Sequence, residues 1–109
     1  MEINVNDNKD KKVVKISGDI DMYSSPALRE TLMHFAQKKA PVVAVDFSKV
    51  SYIDSSGIAT FVEGLKSMKT YGGRLQLFGI PKGIMEIFNF SKLDKVFEIY
   101  NNIDETKGS

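Results

Sequence analysis

The residues best placed to do chemistry lie together in Val50-Ser51-Tyr52-Ile53-Asp54-Ser55-Ser56-Gly57-Ile58, where a carboxylate precedes two hydroxyls and a glycine. Two kinds of chemistry fit that order. Asp54 or Ser55 can cap the first turn of a helix while Gly57 lets that helix pack closely, a cap being worth about 1 kcal/mol. Alternatively, a serine at a helix N-terminus presents its hydroxyl beside N–H donors and the positive end of the helix dipole, which together accommodate a phosphate. The added charge of about −1.5 to −2 would act on whatever docks against that surface rather than on the fold beneath it. Asp54 opposes this by adding like charge, or serves it by orienting the hydroxyl. On local chemistry alone the cap is favoured, and both serines remain open as acceptors.

Other reactive groups lack partners. The chain has no cysteine, which excludes disulfides, thiolate nucleophiles and cysteine-ligated zinc. His34 is the only histidine; it sits beside Phe35 in a helical stretch, reads as a surface or packing residue, and has no ligand set for a metal. A nucleophilic Ser56 would need a base, and the Gly-x-Ser-x-Gly elbow is missing. Asp54 follows a strand as a receiver's phospho-aspartate does, yet no acidic cluster follows the first strand, and no phosphate-binding glycine loop is present. No catalysis, metal or cofactor is expected. Met22, Tyr23, Met33 and Met85 are candidates for a binding surface, with core filling as the default for the methionines.

The elements that must position Asp54 to Gly57 follow from periodicity. Ile3 and Val5 alternate with polar residues, Asp7-Asn8-Lys9-Asp10 is a turn cluster, and Val13-Val14-Lys15-Ile16 is a second strand ending at Gly18, so the chain opens with a β-hairpin. Ser24-Ser25-Pro26 starts a helix through Leu28, Leu32, Phe35 and Ala36, with a hydroxyl available to cap it. After Pro41, the run Val42 to Phe47 is a strand covered on both faces. Ile58, Phe61, Val62, Leu65 and Met68 form one helical stripe, stopped by Gly72-Gly73. A strand at Leu75 to Phe78, a short helix from Pro81 through Ile84, Ile87 and Phe88, and a last strand at Val96 to Tyr100 complete the pattern, with a polar tail from Asn101 to Ser109 that has room for a helical turn or two and frays at its end. Alternation of helix and strand implies right-handed parallel connections: an α/β domain with a mixed, mostly parallel β-sheet and helices packed on it.

Bulk properties agree with one soluble domain. The chain has 109 residues, 42% hydrophobic and 27% charged, and a formal net charge of +1, too small for a field that would recruit nucleic acid. Lys9, Lys11, Lys12 and Lys15 are interspersed with acids, as on a solvated hairpin. No apolar run approaches the ~18 residues that cross a bilayer, and Met1 to Val5 lacks leader character. A cytoplasmic protein without direct membrane insertion is expected.

Five fragments, in order, carry a family resemblance: Ser17-Gly18-Asp19-Ile20-Asp21; Ala27-Leu28-Arg29-Glu30-Thr31-Leu32; Val45-Asp46-Phe47-Ser48-Lys49-Val50 leading into Tyr52 to Gly57; Gly72-Gly73-Arg74-Leu75; and Leu93-Asp94-Lys95-Val96-Phe97. From about Ile3 to Tyr100 the chain resembles the STAS-domain family, in particular its free-standing bacterial anti-sigma factor antagonists. The resemblance implies one STAS domain over residues 1–109, its core at about 3–100. It implies that the serine directly before the glycine, Ser56, is the phospho-acceptor for a partner that is both serine kinase and anti-sigma factor. The unphosphorylated protein would bind that partner and release sigma factor, phosphorylation would break the complex, and a serine phosphatase would restore it. The expected partner surface comprises Asp21, Met22, Tyr23, Ser24 and Ser25 with Asp54, Ser55, Ser56, Gly57 and Ile58. Ile58-Ala59 departs from the leucine and glycine of many relatives but keeps apolar and small character. The alternative implied by the same family is a subunit of a membrane transport complex that binds its ATPase component.

Overall fold

The computed structural model describes residues 1–8 and 11–106. Its strands are β1 (Glu2–Asn8), β2 (Lys11–Ile20), β3 (Val42–Ile53), β4 (Arg74–Phe78) and β5 (Glu98–Tyr100), and its helices α1 (Ser25–Gln37), α2 (Ser55–Lys69) and α3 (Lys82–Phe90). Short 3-10 turns cover Leu93–Lys95 and Ile103–Thr106. Of the expected turn cluster, Asp7 and Asn8 belong to β1, whereas Lys9 and Asp10 lie outside the described residues. The expected frayed end of the tail, 107–109, lies outside them too.

The strands pair in sequence order, β1-β2-β3-β4-β5, with β1–β2 antiparallel and the rest parallel. When consecutive parallel strands are neighbours, right-handed crossovers bring their helices to one face of the sheet. The core reports this arrangement: Val14, Val45 and Leu77, in register across three strands, join Leu28 and Leu32 of α1, Phe61 and Leu65 of α2, and Ile84 and Phe88 of α3 in one apolar cluster. The two longer helices lie against each other, where a Cβ on Gly64 would come 3.2 Å from Leu32 Cδ1. Facing away from the helices, the Arg74 guanidinium bonds both carboxylate oxygens of Glu98, and the Tyr100 hydroxyl donates to Glu98 Oε1 at 2.9 Å. Burial pushes the Glu98 carboxyl up, but hydrogen bonds from Arg74, Tyr100 and Gln76 outweigh it and hold the group below its ordinary range.

Two strands are longer than hydrophobicity alone predicts. β3 continues past Phe47 to Ile53, and β2 continues through Gly18 to Ile20. β4 stops pairing with β3 at Asp46–Phe78, so among the described residues the outer half of β3 has a strand neighbour on one side only. There Ser48, Lys49, Ser51 and Tyr52 are exposed while Val50 and Ile53 are buried, so the apolar run gives way to a polar-rich pattern. Two register shifts accommodate Gly18, whose φ of +92° suits a residue without a Cβ. β5 is shorter than expected: Val96 and Phe97 precede it, following the 3-10 turn that starts at Lys92 with φ +65°.

Phe47 is the hub of the packing beneath α2 and α3. It is fully buried, with ring centroids 5.1 Å from Phe61 and 6.1 Å from Phe88, and Phe88 continues to Phe97 at 5.8 Å. Replacing a buried phenylalanine by alanine removes its transfer energy and leaves a cavity, costing about 3–5 kcal/mol. Phe47→Ala is therefore expected to lower unfolding free energy by that amount in urea titrations followed by circular dichroism.

Candidate functional site

β2 and β3 end side by side at the Ile20–Ile53 pair, and the Asp54 amide extends the ladder by donating to Ile20 O at 3.1 Å. Asp54 itself is extended (φ −108°, ψ −173°), the conformation of an N-cap residue. Its Oδ1 accepts from the Ser56 amide at 2.9 Å, the Gly57 amide at 3.2 Å and the Ser56 hydroxyl at 2.6 Å. The Ile58 amide donates to the Asp54 carbonyl at 3.0 Å, closing the first turn. Of the two candidate caps, the structure selects Asp54. Hydrogen bonding to the ionised form holds its carboxyl below the ordinary 3.8: the Ser56 hydroxyl first, opposed by burial, then the amides of Gly57, Ser56 and Met22.

The second segment leaves β2 directly after Ile20, whose carbonyl holds the Asp54 amide. Asp21 Oδ1 accepts from the amides of Tyr23 at 3.0 Å and Ser24 at 3.1 Å, folding residues 21–24 into a turn. The Ser24 hydroxyl accepts from the Asp21 amide at 2.9 Å and sits 2.9 Å from the Asp19 carbonyl. Ser24 occupies the α1 cap position, but its side chain makes no cap bond; the turn before the helix has engaged it. Ser25 is buried as the first residue of α1. With the turn's polar atoms turned inward, Met22 and Tyr23 project outward, 65% and 87% exposed.

The expected site residues thus converge where β2 and β3 run out, and they differ in availability. Ser55 is exposed and, among the described residues, its hydroxyl makes no hydrogen bond. Ser56 is half-buried and held by Asp54, and its carbonyl accepts from the buried Thr60 hydroxyl at 2.9 Å. Gly57 is buried: a Cβ there would lie 2.7 Å from Ile53 Cγ1 and 2.8 Å from Ile20 Cγ2. Ile58 is half-buried against the core. Tyr52, 52% exposed and in register with Asp19, also belongs to this end of the sheet. Sequence reasoning misses it as a site residue because an aromatic at a strand's end reads as core; its position one residue out of phase with the apolar Ile53 is the available signal.

The remaining candidates separate from this surface. Met33 is partly buried with the Ser67 hydroxyl 3.4 Å from its sulfur, and Met85 packs against the core. His34 meets Phe35 edge-on at 5.7 Å. Among the described residues no group of histidine, cysteine and acidic side chains could hold a metal ion, and no helix is long and apolar enough to cross a membrane.

This fold, with a carboxylate-capped serine turn at the end of its third strand, defines a class. The STAS-domain model matches residues 2–106, and the chain belongs to that family. Within it, the chain is similar to the anti-sigma-B factor antagonist of Bacillus subtilis, 33% identical over 99 residues that cover 91% of this chain and 90% of the relative. Among solved structures, an anti-sigma factor antagonist from Mycobacterium paratuberculosis superposes with a TM-score of 0.87 at 24% identity, covering 95% of this chain and 88% of that one. The Bacillus cell fate determinant SpoIIAA in its phosphorylated form superposes with a TM-score of 0.76 at 18% identity, covering 96% of each chain.

The site's geometry predicts two stability effects. Gly57→Ala forces a Cβ into Ile53 and Ile20, an overpacking expected to cost about 1–3 kcal/mol in urea denaturation. Asp54→Ala removes a cap whose folded pKa lies below its unfolded value, so the stabilisation is full above 3.8 and lost as pH falls through the folded pKa. The gap between wild-type and Asp54→Ala unfolding free energies should therefore be constant near neutrality and close in strong acid.

Proposed function

We propose that this chain is an anti-sigma factor antagonist that acts by binding and is switched by phosphorylation in the Ser55-Ser56 pair. The observation that carries the reading is the pairing of a hydroxyl-bearing helix turn with the exposed Met22-Tyr23 turn on one end of the sheet. The names of its relatives point to an anti-sigma factor as the partner class; in this reading, as the family resemblance implies, that partner doubles as the serine kinase and a serine phosphatase reverses the mark. The protein itself catalyses nothing in this scheme, and the cycle runs in the cytoplasm. Unphosphorylated protein binds the anti-sigma factor and frees sigma factor; the phosphorylated form lets go.

Phosphoryl transfer needs a hydroxyl that the kinase can reach. Ser55 meets that need directly, whereas the Ser56 hydroxyl is half-buried and donates to Asp54 at 2.6 Å. The geometry therefore favours Ser55 as acceptor, with Ser56 and Asp54 shaping the turn, over the Ser56 assignment that the family resemblance implies. The Ser56 and Gly57 amides are already occupied by Asp54, so those donors are spent and a Ser55 phosphate faces outward. There, beside the Asp54 carboxylate, it concentrates negative charge on the docking surface and acts on the partner.

Mass spectrometry after incubation with the cognate kinase and ATP tests both halves of the proposal. Ser55→Ala should abolish incorporation and retain binding, and Ser56→Ala should retain incorporation; the reverse pattern returns the assignment to Ser56. Ser55→Asp should bind the kinase at least about tenfold more weakly than Ser55→Ala, as opposed like charges cost several kcal/mol across an interface. Equal affinities would remove the switch, and co-purification with a transporter ATPase instead of a kinase would support the transport reading.

A further inference from the structure

The first strand carries a feature that the switch does not use. Among the described residues β1 lies at one margin of the sheet and pairs with β2 alone, so its outer edge presents unpaired backbone donors and acceptors. Folded proteins ordinarily blunt such an edge with lysine, proline, a bulge, a short strand or a covering element. β1 contains no lysine or proline, runs for 7 residues, and pairs with β2 without a register shift. The opposite margin is managed: β5 has 3 residues, and the 3-10 turn Ile103–Thr106 packs beside it. The centre of the open edge, Asn4-Val5-Asn6, is uncharged, and all three residues are exposed. Val5, 44% exposed on the helix side, borders a groove of about 880 Å³ whose other wall is α1, including Ala27, Thr31 and His34.

An edge of this kind selects another strand, because only an extended backbone satisfies its donors and acceptors in series. We propose that the occupant is β1 of a second copy, paired antiparallel about a twofold axis with Asn4 facing Asn4 of the second copy. The sequence of β1 matches itself in that register. Ile3 faces Val5 of the second copy and Val5 faces Ile3, all on the helix side, where the groove receives them; Glu2 faces Asn6. No acid opposes an acid. Sliding the pair by two residues sets apolar Ile3 against Asp7, or shortens the ladder in the other direction. A one-residue slip turns apolar side chains onto the polar face and places Glu2 against Asp7. An isologous contact of this kind closes at two copies.

The absence of cysteine makes the register directly testable. Directly facing residues of antiparallel strands have Cα atoms about 4.5–5.5 Å apart, inside the disulfide range. In the full-length chain, Asn4→Cys should form a covalent dimer under mild oxidation at least about tenfold faster than Asn6→Cys, since pairing raises the effective thiol concentration at position 4 only. Wild type should show concentration-dependent dimer in sedimentation, and Val5→Lys should abolish both signals while circular dichroism confirms its fold. Monomer at every concentration, equal or reversed crosslinking of the two cysteine variants, or stable pairing of β1 with a different protein's strand would overturn the proposal.

Discussion

One carboxylate organises the end of the sheet that carries the candidate site. Asp54 stands where two parallel strands finish, accepts two amides and a hydroxyl on a single oxygen, and through its own backbone continues the ladder to Ile20. Those contacts settle the direction in which α2 leaves the sheet. They also determine which serine is engaged and which is presented. Ile20, whose carbonyl holds the Asp54 amide, leads directly into the Asp21 turn, so the two halves of the surface meet at one anchor. A carboxylate that must remain ionised to hold this turn is well matched to a protein working near neutral pH.

The close approach of α2 depends on Gly57 as much as on the cap. Any side chain at that position meets Ile53 and Ile20, the last apolar residues of β3 and β2. Packing and polar contacts therefore converge within four residues, Asp54 to Gly57. Capping and switching need not compete for these residues. Asp54 does the first and leaves the Ser55 hydroxyl exposed, which is what the proposed switch requires, because rigid support of an exposed hydroxyl would let added charge act outward instead of unfolding the helix.

Much of the architecture is legible in residue order alone. The stripe from Ile58 to Met68 specifies α2 because residues at that spacing share one helical face. The opening hairpin and the single-sheet α/β plan follow from alternation and element order. The outer half of β3 is not legible as strand, since Ser48, Lys49 and Ser51 break the apolar run. Only the neighbouring β2 explains it, by pairing beyond the point where β4 ends. Ser24 shows the same limit: its type and place before Pro26 suit a cap, yet a turn three residues back claims its hydroxyl.

The amino-acid sequence by itself determined the class of fold and singled out the candidate segment Asp54 to Gly57, because periodicity and local motifs are properties of residue order. Tertiary structure decided the rest. It chose Asp54 over Ser55 as the cap, brought the Asp21 to Ser25 turn against it, and divided two adjacent serines into one held and one exposed. Those distinctions depend on which donors and acceptors meet where β2 and β3 end side by side, 34 positions apart in the chain at the Ile20–Asp54 bond, and no local pattern encodes a meeting at that separation.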